Sequence, residues 1–149
     1  MPPRSPSDDQ GSAAIEFLLL SLTLLVPLVY LVLALGSIQS HALGVEAASR
    51  HLARTMAVSA DPVRAQEASE RVVAHIAREY GIDPQTITVS VSCSDVTASC
   101  PSAGTIVRVT VTAEAVLPLV PPLLGLDQIA RVPVEAAAAH KVSRLWVAP

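Results

Sequence analysis

Residues 11–17 read Gly-Ser-Ala-Ala-Ile-Glu-Phe and lead directly into an uncharged apolar run from Phe17 to Ile38. As an α-helix, the 22 residues of that run are about 33 Å long, enough to cross a hydrocarbon core of about 30 Å. Fifteen of them are Leu, Val, Ile or Phe, and their summed insertion free energy of about −4.5 to −9 kcal/mol outweighs the cost of Glu16. The sequence therefore predicts a transmembrane helix, residues 12–40.

A cleaved secretory signal is the alternative interpretation of the same run. The run is longer than the apolar region of such signals, which is usually about 7 to 15 residues. No positive cluster precedes it, and Ser40-His41-Ala42 is a poor small-residue cleavage site. These features favour a helix that remains part of the protein as its membrane anchor.

The composition argues against several classes of function. The chain has 149 residues, a net charge of −3 and 3% aromatic residues, which disfavours nucleic-acid binding. It contains no nucleophile elbow, no phosphate-binding glycine loop and no Cys-x-x-Cys pair. The four histidines lack the spacing of a helical metal pair, so surface or capping roles are predicted for them. We therefore predict no enzyme, no catalytic residue, no metal and no cofactor. The histidines are His41, His51, His75 and His140.

Two amphipathic helices are predicted after the apolar run. The first continues the membrane helix, with apolar residues on one side and charged residues at four-residue spacing on the other. Asp61 and Pro62 supply the cap and the first-turn proline of the second helix, and Gly81 follows its end. The apolar residues are Val45, Ala48, Leu52 and Met56 in the first helix and Ala68, Val72, Val73, Ile76, Ala77 and Tyr80 in the second.

The second half of the chain alternates apolar and polar residues, which is typical of strands with one buried face. Three such strands and a covering helix predict a small α+β domain, residues 41–149, with an antiparallel sheet. On the outer faces of the last two strands, Arg108 is expected near Glu135. Glu114 is expected near Arg131 in the same arrangement. The alternating residues are Ile87, Val89, Val91 and Cys93; Val107, Val109, Val111 and Ala113; and Ala130, Val132, Val134 and Ala136.

The connections and edges of the sheet carry further signals. Cys93 and Cys100 are the only cysteines, and their short spacing downstream of a membrane segment favours an extracytoplasmic disulfide over two reduced thiols. Residues 116–126 are apolar but interrupted by three prolines, which predicts a turn, a short helix or a surface patch rather than a second span. Pro133 cannot donate to a sheet ladder, so the third strand is predicted to lie at an edge or to turn the nitrogen of Pro133 outward.

The segment from Gly11 to Phe17, with the apolar run behind it, resembles the class III signal of type IV pilin-like proteins. More narrowly, it is similar to the TadE-like pseudopilins of tight-adherence (Flp-type) pili. The resemblance implies that a prepilin peptidase cuts after Gly11 and leaves Ser12 as the new amino terminus. It also implies that Glu16 and Phe17 set the register between assembled subunits. One departure is that Asp8, Asp9 and Gln10 precede the glycine, where such signals often carry a basic residue.

The resemblance implies a pilin-like fold and a minor pseudopilin that acts in pilus assembly without catalytic activity. Its partners would be the bilayer, the prepilin peptidase, other pilin or pseudopilin subunits and the assembly platform. Residues 1–11 would form a cytoplasmic leader, and the domain after the inner-membrane helix would be extracytoplasmic. A rival hypothesis is a membrane-anchored extracytoplasmic binding module that is not incorporated in a pilus, and a secreted hydrolase is a third.

Overall fold

The computed structural model describes residues 9–59, 61–95, 100–120, 123 and 125–145. It confirms a mixed fold with a long apolar amino-terminal helix, a second helix and a three-stranded antiparallel sheet. The chain divides into two compact units, one ending at Gly36 and one starting at Ser37. The elements are α1 (Asp9–Val58), α2 (Pro62–Tyr80), a 3₁₀ turn (Pro84–Thr86), β1 (Thr88–Cys93), β2 (Ile106–Val116), α3 (Leu126–Ile129) and β3 (Arg131–Lys141).

The predicted leader, residues 1–11, lies largely outside the described residues, and α1 begins at Asp9. The helix continues through Pro27, although a proline has no N–H to give to the carbonyl of Thr23. Lipid cannot replace that hydrogen bond, but the surrounding helical turns keep the remaining backbone groups paired. A single proline therefore does not divide the apolar run.

The core of the second unit lies between the last turns of α1 and the central strand. Val45 and Leu52 are fully buried, and Ala48 is nearly so, which confirms the apolar side predicted for this part of the helix. On its opposite side Arg50 forms an ion pair with Glu46. One face of β2 also belongs to this core. The buried residues on that face are Val107, Val109, Val111, Ala113 and Ala115.

Both ends of α2 lie where the sequence predicts them. The side chain of Asp61 accepts hydrogen bonds from the backbone N–H groups of Val63 at 2.9 Å and Arg64 at 3.5 Å. These bonds satisfy donors that have no partner within the helix. At the other end, Gly81 adopts a φ of 67° and its N–H bonds to the carbonyl of Ala77. The cap residues thus determine both ends of α2.

Gly44 allows α1 to pass close to the end of α2. A Cβ atom at this position would lie 2.8 Å from Cδ1 of Ile82 and 2.9 Å from Cγ of Tyr80. Carbon atoms that are not bonded prefer separations of about 3.5–4.0 Å. Glycine in a helix interior is destabilising by about 1 kcal/mol relative to alanine, but the close contacts give Gly44 a packing role.

Replacing Gly44 by Ala is expected to lower the free energy of unfolding by about 1–3 kcal/mol, the usual range for overpacking a core. Gly36→Ala is the matched control, because no atom lies within 4 Å of a Cβ placed there. Alanine is the better helix former by about 1 kcal/mol, so the control should be neutral or slightly stabilised. Thermal unfolding of the full chain in detergent measures both. Equal free energies of unfolding for the two variants would show that the side chains of Tyr80 and Ile82 move aside without loss of stability.

The sheet has the order β1-β2-β3, which confirms antiparallel pairing of the last two strands and the edge position of β3. The expected contact between Arg131 and Glu114 is present, with Nη1 of the arginine 2.9 Å from Oε2 of the carboxylate. The expected proximity of Arg108 and Glu135 was wrong. Arg108 lies opposite Ala139, and Glu135 lies opposite Thr112.

Packing on the covered face explains why the charges did not determine this register. An exposed ion pair is worth about 0–1 kcal/mol. A shift of two or four residues keeps the same side chains on each face, but it changes which of them lie opposite one another. The register adopted places Val109 and Val111 opposite Ala138 and Ala136 on the covered face. Large residues on the central strand are thus paired with small ones on the edge strand.

The two ends of the strand region also differ from the prediction. The first strand was expected to bury one face, but Val89 and Val91 remain 36% and 42% exposed. The third strand is longer than expected and includes His140 and Lys141. Val142 follows it, is fully buried, and donates its N–H to the carbonyl of Thr105 at 2.9 Å. Val142 is therefore part of the core although it lies beyond the end of β3.

The predicted disulfide is present. Cys93, the last residue of β1, is bonded to Cys100 with an S–S distance of 2.04 Å. The bond closes the connection between β1 and β2. Residues 96–99 of that connection lie outside the described part of the chain.

Candidate functional site

The candidate site is the amino-terminal part of α1. Gly11, Ser12 and Glu16 all lie within this helix. Four residues of helix advance about 6 Å along the axis, so Glu16 lies about one turn beyond Ser12. Between Ala13 and Val45 Glu16 is the only Asp, Glu, Lys or Arg in the sequence. The helix therefore combines one carboxylate with a long uncharged surface.

The surroundings of Glu16 are a shallow apolar concavity on the surface of α1. It is lined by Ile15, Leu19, Leu20 and Thr23 beside the acid itself. The hydroxyl of Thr23 donates to the carbonyl of Leu19 at 2.7 Å, so it is satisfied within the helix. Glu16 is the charged group of this surface, and the carboxylate is exposed.

The apolar surface of α1 is also exposed. Phe17 is 68% exposed, and the large apolar side chains from Ile15 to Leu35 that the structure describes as exposed range from 48% to 71%. Among the described residues one helix is long and apolar enough to cross a membrane, and only 6% of its most apolar window is buried within the molecule. The core helix of a soluble protein is covered by its own domain. An uncovered apolar surface of this length fits a helix that spans a membrane.

A second surface lies between α2 and β1. The groove is about 560 Å³, and its floor is apolar, with Leu52, Val73, Val89 and Val91 among its lining residues. The N–H of Ser94 bonds to the carbonyl of Ile106, and hydrogen-bonded pairs alternate along an antiparallel ladder. By that alternation, the backbone groups of Val89 and Val91 point away from β2. Within the described residues, β1 pairs with β2 alone.

The histidines differ in their surroundings, although His51 and His75 line the same concavity between α1 and α2. His41 is buried, and its Nδ1 lies 2.8 Å from the carbonyl oxygen of Ser37, so the surface position expected for it was wrong. His75 is paired with Glu79 at 3.1 Å. In the part of the chain that the structure describes, no group of three or more His, Cys, Asp or Glu side chains is placed to hold a metal ion.

The structure adds one feature that sequence reasoning did not locate. The hydroxyl of Ser37 donates to the carbonyl of Val116 at 3.3 Å, although 79 residues separate them along the chain. This bond joins the end of the apolar run to the end of β2. No local pattern encodes a contact of such sequence separation.

No protein-family model, curated protein or solved structure matches the chain. The fold and the site define the class: a small helix-and-sheet unit carried by one helix with the length and apolar surface of a membrane span. The particular assignment therefore depends on the residues of α1.

Proposed function

We propose that the protein is a TadE-like minor pseudopilin that acts in assembly of a tight-adherence (Flp-type) pilus. The observation that carries the proposal is the spacing of Gly11 and Glu16 at the entrance of an apolar helix whose surface is not covered by its own chain. The accompanying helix and three-stranded sheet are compatible with a pilin-like fold. The subunit has a structural role and no catalytic activity.

Cleavage after Gly11 by a prepilin peptidase gives Ser12 a free ammonium group. An unpaired carboxylate is costly in an environment of low dielectric constant, so Glu16 requires a positive partner there. The ammonium of a neighbouring subunit provides one. Since an attraction between opposite charges strengthens as water is excluded, the pair favours a single axial register between adjacent helices. Phe17, the next residue, packs in the same layer of contacts.

Assembly in this scheme uses the exposed surface of α1. Cleavage on the cytoplasmic side removes the leader but keeps the apolar helix, so the subunit stays in the inner membrane until it is extracted. Helices from several subunits then pack side by side, and each covers apolar area that its own unit leaves open. The domain from residue 41 onward faces the extracytoplasmic side, where oxidising conditions maintain the Cys93–Cys100 bond.

Substitution of Glu16 by Ala tests this assignment. Removing one partner of a buried charge pair typically costs about 3–5 kcal/mol, and about 1.4 kcal/mol already changes an equilibrium tenfold. We expect the variant to be processed normally. The amount of it in the assembled, shearable fraction, relative to the amount in the membrane fraction, should fall at least about tenfold. The measurement is immunoblotting of both fractions. Glu67→Ala, on the exposed side of α2, is the matched control and should behave as the wild type. An unchanged distribution of the Glu16 variant would contradict the proposal.

The open edge of β1 favours a second candidate function, a membrane-anchored binding module. Its outward backbone groups and the adjacent apolar groove are suited to an extended peptide strand with apolar residues at alternate positions. If the protein is such a binding module, Glu16→Ala would leave peptide binding unchanged, and the amino terminus would remain intact. Fractionation of the Glu16 variant and mass spectrometry of the amino terminus therefore separate the two functions.

A further inference from the structure

The connection between β2 and β3 presents apolar side chains to solvent in the part that the structure describes, residues 117–120, 123 and 125–130. We call this described part the β2–β3 loop. Its exposed residues include Leu119 at 77% and Ile129 at 79%, together with Leu123 and Leu126. A soluble monomer rarely exposes several large apolar side chains in one short segment, and such clusters mark binding surfaces. Scattered single residues would need no explanation, but these belong to one loop.

The backbone of the loop supports the same conclusion. Leu119 adopts a φ of 62°, a conformation that residues with a Cβ atom rarely take. Outside glycine, such residues persist where the surrounding structure or a function maintains them. Leu119 gains no burial in return, since most of its side chain is exposed. Its conformation is therefore better explained by a partner outside this domain.

The position of the loop identifies that partner. Its base is closed by a hydrogen bond from the N–H of Leu117 to the carbonyl of Ala130 at 3.0 Å. The preceding residue, Val116, accepts the hydrogen bond from Ser37. Ser37 and Ile38 are the last residues of the apolar run. The loop thus starts at the point of the chain where the apolar run ends, and so where a spanning helix leaves the hydrocarbon.

The charges indicate hydrocarbon rather than lipid headgroups as the preferred contact. The β2–β3 loop contains no Lys or Arg, and Asp127 is its only charged residue. The nearest strand residue, Arg131, is engaged by Glu114. Attraction to anionic lipids depends on clusters of basic residues, which this loop lacks. Insertion of its leucines and isoleucine depends instead on apolar area, which is the basis of interfacial membrane binding.

We propose that the β2–β3 loop is a second membrane contact, inserted into the interfacial region of the bilayer. It goes beyond the function in pilus assembly and requires only that α1 spans the membrane, which both candidate functions share. The contact holds the adjoining ends of β2 and β3 at the bilayer. The far end of β2 lies about 33 Å away along the strand, at about 3.3 Å per residue.

A fluorescent label on a single introduced thiol tests the proposal. Ile129→Cys places the label in the loop, and Ala139→Cys places it at an exposed position toward the other end of β3. The native cysteines do not compete, because they form the disulfide. Both full-length proteins are reconstituted into phosphatidylcholine vesicles and titrated with spin-labelled lipid. We expect a blue-shifted emission and strong quenching for the label at residue 129, and neither for the label at residue 139.

Three results would overturn the proposal. Emission from residue 129 typical of water, without lipid quenching, would show that the loop remains in solvent. A blue shift without lipid quenching would show that another protein chain covers the loop. Quenching that appears only after anionic lipid is added would assign the contact to charge rather than apolar area. Leu119→Cys repeats the measurement at a second position, so a folding defect of one variant does not decide it. Neither peptidase cleavage nor Glu16 enters the experiment, so its failure leaves the pilus assignment untouched.

Discussion

Replacing Leu52 by Ala is expected to lower the free energy of unfolding of the sheet-bearing unit by about 2–5 kcal/mol. Leu52 is fully buried and belongs to the cluster formed by α1, α2 and the covered face of β2. Its truncation removes apolar contacts and leaves a cavity that a close-packed interior fills only in part. Since small domains are stable by about 5–15 kcal/mol, the loss is a large fraction of the total.

Leu43→Ala provides the matched control for this substitution. The two residues share the same helix and the same change of side chain, but Leu43 is 58% exposed. Substitutions of that kind usually change stability by no more than about 0.5 kcal/mol. Denaturant unfolding of the full chain in detergent, followed by circular dichroism, measures both variants. Similar shifts for Leu52→Ala and Leu43→Ala would contradict the core described for α1.

Local signals were sufficient to predict the helices and the existence of the strands. Asp61, Pro62 and Gly81 specify the ends of α2 through hydrogen bonds and dihedral angles that depend on neighbouring residues alone. The period of two in residues 107–113 likewise identifies a strand with one covered face. These features depend on residues close together in the sequence, so they can be read without a structure.

Features that depend on distant residues could not be predicted in the same way. The position of Arg108 opposite Ala139 results from packing across the covered face of the sheet, which surface charge does not reveal. The partial exposure of Val91 follows from incomplete cover of an edge strand. The tight packing of Gly44 against Tyr80 and Ile82 joins two helices whose contact no local pattern encodes.

The candidate site also combines features that the local sequence predicts with features that depend on distant residues. The spacing of Gly11 and Glu16 is a sequence property, and the structure adds that the helix carrying them leaves its apolar surface exposed. The placement of the β2–β3 loop, in contrast, depends on the hydrogen bond between Ser37 and Val116. Sequence alone suggested a turn, a short helix or a surface patch for residues 116–126. In the structure Leu119 and Leu123 of this segment are exposed, and the short helix α3 begins only at its last residue, Leu126.

Processing after Gly11 has an all-or-none outcome, because the leader is either removed or retained. In cells that contain the cognate prepilin peptidase, the membrane-extracted protein is expected to start at Ser12. Gly11→Val should retain the leader, since a branched side chain replaces the hydrogen of the glycine at the cleavage position. Gly36→Val, within the same helix and with no atom within 4 Å of its Cβ position, is the control and should be processed normally.

Mass spectrometry of the intact protein from those membranes tests the pseudopilin assignment. The pseudopilin assignment predicts a chain that has lost residues 1–11 and keeps the apolar helix, with Glu16 as the fifth residue of the mature protein. Asp8, Asp9 and Gln10 stand before the cleavage position, so the measurement also shows whether an acidic leader is accepted. A protein that retains an intact amino terminus in the presence of the active peptidase would contradict the assignment.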